Sequence, residues 1–366
     1  MWHLDIPTQD ELRALAQTRG YGVVSLFMPT TPITAHIGAS TITFRNLVDA
    51  ALIQLRANPD HSRDDVAAVA DQLAELGEDP NFWANQAWGL GVITTPTKQW
   101  TFRLPHAPTE SVFVDDRAHI LPLIAAASET VDAHVLCLSE GAVRLVDVAS
   151  DLPPQDVPVP GLPTSAADFA GKTTTGDRTF IGRNVSAQER SALRKYSRAV
   201  DTALRPVLRA DERPLVLMAP QPIAAIFRSV CQSPYLVDEG LDANAERLSV
   251  TEVAEAVVPV LGQVQAAQDA RLAQLVSDRR SAGRVATDLA NIAKFVTRGG
   301  VDTLILDRDA KQYGGIDDAG AVAFDADGGP LSDELALRTL QMGGRVLAVE
   351  ADRVPDGLSM VAILRY

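Results

Sequence analysis

Two cysteines in 366 residues, Cys137 and Cys231, are too few for a disulfide framework or a cysteine-built zinc site. Histidine is equally sparse. The six lie at His3, His36, His61, His106, His119 and His134, and no two share a turn of helix as metal ligands do. No apolar run approaches the roughly 20 residues that a membrane span needs. The opening Met1-Trp2-His3-Leu4-Asp5 lacks the basic flank and apolar core of a leader, so the expected setting is the cytoplasm, away from membranes. Cofactor signatures are incomplete. Gly20-Tyr21-Gly22 and Gly89-Leu90-Gly91 lack the third glycine of a dinucleotide fingerprint. Gly171-Lys172-Thr173 ends like a phosphate loop, but Ala166 stands where that loop needs its first glycine. Neither a metal nor an organic cofactor is expected.

Positive charge is also short. The formal net charge is −14, which argues against binding duplex nucleic acid over the whole surface, so DNA is not an expected partner. Acidic pairs such as Asp64-Asp65, Asp115-Asp116 and Asp317-Asp318 fall in loops or at helix starts, where a solvated surface is the simplest reading. Cys137 sits inside an apolar run and reads as a core thiol. No enzyme is visible in these residues.

Apolar residues make up 46% of the chain and charged residues 22%, the balance of a folded protein. Its length suits more than one domain. Periodicity predicts a helix over 9–19, a buried strand over 23–27, and a helical hairpin broken at Asn58-Pro59-Asp60. Strands follow over 88–94, 99–104 and 111–114. A strand hairpin turns at Ser139-Glu140-Gly141. The stretch 150–185 is rich in Pro, Gly, Thr and Ser and reads as one long loop. Capping boxes at Ser186-Ala187-Gln188-Glu189 and Ser249-Val250-Thr251-Glu252 open two helices, the first ending near 204 and the second near 281. Helix and strand alternate from 283 to the end. The fold class expected is α/β, in three small domains: 1–117 with a helical hairpin, 118–282 with a basic helix, and 283–366 as an α/β/α sandwich.

The basic charge is concentrated. Residues 172–209 hold nine Lys and Arg against three Asp and Glu. The helix opened by Ser186 carries Arg190, Arg194 and Arg198 at four-residue spacing, flanked by Lys195 and Arg205. Such spacing stacks like charges on one face, which is unfavourable unless an anion compensates. Arg178 and Arg183 in the preceding loop add to the region. Guanidinium forks suit phosphate oxygens. Two readings stand: phosphate contact, or neutralisation of the row by Glu189, Asp201 and other acids.

Several runs, in order, resemble the bacterial archaeo-eukaryotic release factor (baeRF) family. They are Ser25-Leu26-Phe27-Met28-Pro29-Thr30, Phe82-Trp83 with Trp88-Gly89-Leu90, the runs 135–146 and 214–219, Gly300-Val301-Asp302-Thr303-Leu304, Gly343-Gly344-Arg345-Val346, and the terminal Ala362-Ile363-Leu364-Arg365-Tyr366. The layout is similar to that of eukaryotic and archaeal class-one release factors and Pelota. That resemblance implies a decoding-type first domain, a ribonuclease-H-like middle domain, and a last domain similar to kink-turn-binding ribosomal proteins. The Gly-Gly-Gln that true release factors carry in the middle domain is absent, and the loop expected to hold it reads Ala170-Gly171-Lys172-Thr173-Thr174-Thr175-Gly176-Asp177-Arg178. The hairpin tip, Ala57-Asn58-Pro59-Asp60-His61-Ser62, lacks the Asn-Ile-Lys-Ser run and reads as acidic.

The resemblance implies a ribosome-associated factor without Gly-Gly-Gln. It would bind the aminoacyl site in ribosome rescue or hibernation and contact ribosomal RNA or tRNA through Arg178, Arg183, Arg190, Arg194, Lys195 and Arg198. Two alternatives stand beside it. One is a hydrolase of peptidyl-tRNA or RNA, with Asp147 and Asp201 as candidate carboxylates. The other is a stress-response module that binds a protein partner and never touches RNA.

Overall fold

The computed structural model describes residues 5–33, 36–129, 133–148, 154–173, 187–211, 213–326 and 328–366. The first elements in chain order are α1 (Gln9–Gln17), β1 (Arg19–Pro29), α2 (Ile37–Ala57), α3 (Arg63–Glu78), α4 (Pro80–Ala84), β2 (Gly89–Thr94), β3 (Gln99–Leu104), β4 (Ser111–Arg117) and α5 (Leu121–Glu129). Next come β5 (Ala133–Leu138), β6 (Val143–Val148), β7 (Gln155–Val157), α6 (Ala166–Thr173), α7 (Ala187–Asp211), β8 (Leu215–Met218), α8 (Ile223–Val230), β9 (Leu236–Leu241) and α9 (Val250–Ser281). The last are β10 (Val285–Ala286), α10 (Leu289–Thr297), β11 (Val301–Asp307), β12 (Tyr313–Ile316), β13 (Val322–Phe324), β14 (Gly329–Pro330), α11 (Leu331–Gln341), β15 (Arg345–Val349) and β16 (Met360–Leu364). The fold is mixed α/β. The chain forms two compact units, Met1–Thr130 with Asp269–Tyr366, and Val131–Gln268.

In the first unit, β3-β2-β1-β4 form an antiparallel sheet. Alternation along β1 sends Val24, Leu26 and Met28 to one face and Val23 and Phe27 to the other. The first face packs on the α2–α3 hairpin through Phe44, Leu47, Leu55, Val69 and Leu73, with Trp83 edge-on to Phe44 at 5.3 Å. Each such side chain withdrawn from water stabilises by roughly 1.5–3 kcal/mol. The opposite face meets α1, α5, α10 and α11 in one core with Leu304, Leu306, Ala348 and Ala362. Those four belong to a second sheet, β10-β16-β11-β15. Its other face buries Ile305, Val361 and Ile363 with Val276 of α9. A third, small sheet has the order β13-β12-β14.

The second unit is a five-stranded sheet, β7-β6-β5-β8-β9, parallel at β5, β8 and β9. Leu136, Leu145 and Leu217 face α7 and α8; Val135, Val146 and Val216 face α9 at Val253, Val257 and Val264. Ser249 opens α9 as a reciprocal cap with Glu252, and the helix continues through Pro259.

Three sequence expectations change. The stretch 150–185 is not one loop: β7 and α6 lie in it, and Ser165 Oγ accepts from Asp168 N to start α6. At eight residues, α6 is too short for its period to stand out. Helix α5, Leu-Pro-Leu-Ile-Ala-Ala-Ala-Ser-Glu, follows the strands that were expected to close the first domain; being apolar nearly all round, it has no amphipathic signal. Helix α7 runs to Asp211, past the expected end near 204, because Leu204 and Leu208 still bury there. Pro206 within it removes one backbone donor.

Candidate nucleic-acid interface

Helix α7 lies on the sheet of the second unit with a definite inward face. Leu193, Tyr196, Val200, Leu204 and Leu208 are buried there, and Tyr196 Oη donates to Ser139 O at 3.2 Å. A 3.6-residue period then sends Arg190, Arg194 and Arg198 outward, and all three are exposed, as is Lys195. Among the described residues none of the four makes an ion pair. Arg178 and Arg183 lie outside the described residues, as does Ser186.

Asp201, which could have neutralised the row, turns inward. It is 2% exposed and accepts from Arg205 Nε at 3.1 Å, Arg205 Nη2 at 2.5 Å and Gln232 N at 3.1 Å. Arg205 therefore leaves the cationic row and joins an internal pair. Glu189 is half-buried; beside Glu246 it raises the Glu140 carboxyl above its ordinary value, although burial is the larger cause. The other candidate carboxylate, Asp147, accepts from Arg213 Nη1 at 2.8 Å and sits opposite His134 in the β5–β6 register. Both carboxylates that a hydrolase would draw on are thus bound to arginines. Among the described residues, no three His, Cys, Asp or Glu are grouped to hold a metal. Cys137 is buried in β5, and burial pushes its thiol up to about 11.

Around the hairpin tip the charge is mixed, Asp60, Asp64 and Asp65 with Arg56 and Arg63. Arg56, His61 and Arg63 border a groove of about 450 Å³ whose floor is Leu55, Val66 and Ala70. His61 Nδ1 donates to Leu55 O at 2.8 Å, and Asn58 Oδ1 accepts from Asp60 N at 3.0 Å, which fixes the turn. The signal was in the sequence: the two arginines straddle the Asn58–Ser62 turn, outside the six residues taken as the tip.

A second charged cluster carries no sequence signature. His119, 5% exposed, lies between two carboxylates, with Nε2 3.2 Å from Asp115 Oδ2 and Nδ1 3.3 Å from Asp333 Oδ2. The Asp115 contact is a hydrogen bond; the Asp333 contact is too poorly aligned for one and acts as an ion pair. Phe113 stacks on the ring at 4.2 Å. Burial opposes the charged ring, but the contacts with Asp115 and Asp333 outweigh it and raise its pKa to about 9. Asp333 Oδ1 also accepts from Ile120 N and Leu121 N, capping the start of α5. This arrangement holds structure and offers no open surface.

The second unit, with α7 and α8 on one face of its sheet and α9 on the other, carries the basic helix face. Within the chain, residues 130–267 match the model of bacterial archaeo-eukaryotic release factor family 11, and that segment contains α7. No curated protein matches the chain. Similar solved structures include an archaeal translation termination factor, aRF1, 13% identical, covering 98% of this chain and 99% of that one with a TM-score of 0.24. A ribosome-bound archaeal Pelota with ABCE1 is 14% identical over 98% and 94%, with a TM-score of 0.43. Dom34 of S. cerevisiae is 12% identical over 74% and 72%, with a TM-score of 0.42. No helix among the described residues is long and apolar enough to cross a membrane.

Proposed function

We propose that the protein is a ribosome-associated, release-factor-like factor that occupies the aminoacyl site in ribosome rescue or hibernation without hydrolysing peptidyl-tRNA. The observation that carries this reading is the exposed row Arg190, Arg194 and Arg198, without an ion pair among the described residues, on a helix inside the segment that matches the release-factor family. Like charges at one-turn spacing are unfavourable on an isolated helix, so an anion that pairs with them gains at each step. Phosphates of ribosomal RNA or tRNA are such anions, and Arg178 and Arg183 extend the same basic stretch of sequence. Arg56 and Arg63 line the groove at the α2–α3 turn, where Asp60, Asp64 and Asp65 also lie in sequence.

The absence of Gly-Gly-Gln removes the group that positions water in hydrolytic relatives, which favours occupancy over catalysis. The proposal includes the three-part division near residues 117 and 282 and a cytoplasmic setting. The test is co-sedimentation of the full chain with ribosomes across a salt series. Wild type is expected in the ribosome pellet at low salt. Replacing Arg190, Arg194 and Arg198 with Ala should weaken pelleting and flatten the salt dependence by about one counterion per lost contact. Equal pelleting of both proteins at every salt concentration rejects the arginine row. Absence of both from the pellet rejects the ribosome.

A further inference from the structure

The small sheet of the first unit has one guarded edge and one open edge. The register pairs Gly314 with Phe324 and Ile316 with Val322. Asp325 N donates to Tyr313 O at 3.1 Å, and Asp317 N donates to Ala321 O at 3.0 Å. In an antiparallel ladder such bonds alternate, so the backbone groups of 321, 323 and 325 face β12. The N–H and C=O groups of Val322 and Phe324 therefore point away from the sheet. The opposite edge, β14, contains Pro330, a residue that blocks strand addition. β13, Val-Ala-Phe, carries neither a proline nor a charge.

The open edge also carries an aromatic ring. Val322 packs against the core and Ile316 is buried in it. The same sheet face continues outward to Phe324, which is 71% exposed. Around it, residues 313–326 contain Asp317, Asp318 and Asp325 and no basic residue. The hairpin is held in shape before any partner arrives. Asp317 Oδ1 accepts from Ala319 N at 2.9 Å and Ala321 N at 2.7 Å. The Arg338 guanidinium donates to the carbonyls of Ile316 and Asp317. A Cβ at Gly314 would lie 2.0 Å from Ala323 O, and φ there is +156°, so only glycine allows this closeness.

We infer that the outer edge of β13 takes an extended, basic segment of a partner protein as an added strand, with Phe324 as its apolar anchor. Strand addition satisfies the outward backbone groups of Val322 and Phe324, and the partner's alternate side chains meet Phe324. Charge selects the occupant. Two copies of this edge would bring their aspartates together, whereas a lysine- or arginine-bearing strand pairs with them. The inference is independent of ribosome binding.

The test uses the full chain and three fluorescent peptides: Lys-Val-Lys-Val-Lys-Val-Lys, its glutamate counterpart, and the lysine peptide N-methylated at alternate residues. Anisotropy should show saturable binding of the first only, because N-methylation removes the strand's donors while keeping its charge. Phe324→Ser should weaken that binding about tenfold or more, as truncating a central aromatic anchor does. Because Phe324 is exposed, circular dichroism should be unchanged; Asp318→Lys, at an equally exposed turn position, should weaken binding without touching the ring. Absence of binding, equal binding of all three peptides, or binding indifferent to both substitutions overturns the proposal. So does a dimer that sediments as such in wild type and dissolves in Phe324→Ser.

Discussion

Around His119 in the first unit, each cation sits against acids at ion-pair distance. His119 meets Asp115 and Asp333, Arg117 meets Glu334, Asp115 and Asp116, and Arg338 meets Glu334. Along the outer face of α7 in the second unit, Arg190, Arg194 and Arg198 follow one another, and among the described residues none of them makes an ion pair. The contrast separates charge that shapes the fold from charge left for something else. In the first case Arg117–Glu334 and His119–Asp333 join distant parts of the chain, and His119, Asp333 and Glu334 are largely withdrawn from water. In the second, Asp201 is turned inward by Arg205 and Gln232. Substitutions at the two places should therefore differ in kind: stability should fall at the first and hold at the second.

The largest loss should come from Asp333→Ala. It strips two backbone donors, Ile120 N and Leu121 N, of their acceptor and leaves His119 beside one carboxylate instead of two. Breaking a buried charged pair from one side typically costs about 3–5 kcal/mol. Urea unfolding should register this as a lower midpoint with an unchanged slope. A loss within measurement error would break the contrast at its stronger end.

A smaller effect should appear as a pH dependence. The pKa of His119 is raised from 6.5 to about 9, so the folded state binds the proton more tightly than the unfolded chain. Its stabilisation is complete below pH 6.5, diminishes above that, and is lost as pH rises through about 9. The magnitude is roughly 3 kcal/mol. Asp115 is lowered by the same pair despite burial, so its share is lost only in strong acid and must not be added to that of His119. Unfolding midpoints from pH 6 to 10 should fall in wild type and stay flatter in His119→Gln.

Asp201→Ala should come next. The buried carboxylate serves one arginine and one backbone N–H, and its removal leaves Gln232 N unsatisfied, at a cost of about 1–3 kcal/mol. Thermal unfolding of the two variants, Asp201→Ala and Asp333→Ala, should rank them in this order.

How much of this was legible depended on how far apart the partners stand. The α2–α3 hairpin was readable because Phe44, Leu47, Ala51 and Leu55 recur at helical spacing and Asn58-Pro59 breaks them. Strands β2, β3 and β4 were readable from short β-rich runs. The arginine row was visible for the same reason: its spacing is local. By contrast, Asp333 and His119 are 214 residues apart, and nothing in the intervening pattern couples them. The small sheet β12–β14 escaped because two to four residues with several glycines carry no period. Helix α5 was hidden by uniform burial. The fate of Asp201 was half-visible: its four-residue spacing to Arg205 fits a helical pair, but only burial decides that it serves Arg205 and not Arg198.

The smallest effect on stability should be that of Arg198→Ala, and its value lies in the comparison with Arg205→Ala on the same helix. Arg205 donates to Asp201 through Nε and Nη2 and to Gln232 Oε1 at 2.9 Å, so its loss leaves a buried carboxylate without its cation. Arg198 is exposed, and the hydrogen bond from Thr202 Oγ1 to its backbone carbonyl at 2.8 Å survives truncation of the side chain. Removing it also relieves repulsion from Arg194, and alanine is the better helix former. The two terms act in the same direction, so unfolding of Arg198→Ala should match or slightly exceed wild type. Arg205→Ala should fall clearly below it. If Arg198→Ala destabilises as much as Arg205→Ala, the row is held by the fold, and the case for a surface reserved for phosphate fails. If it is neutral in stability while ribosome pelleting weakens, arginines seven residues apart on one helix divide between structure and binding.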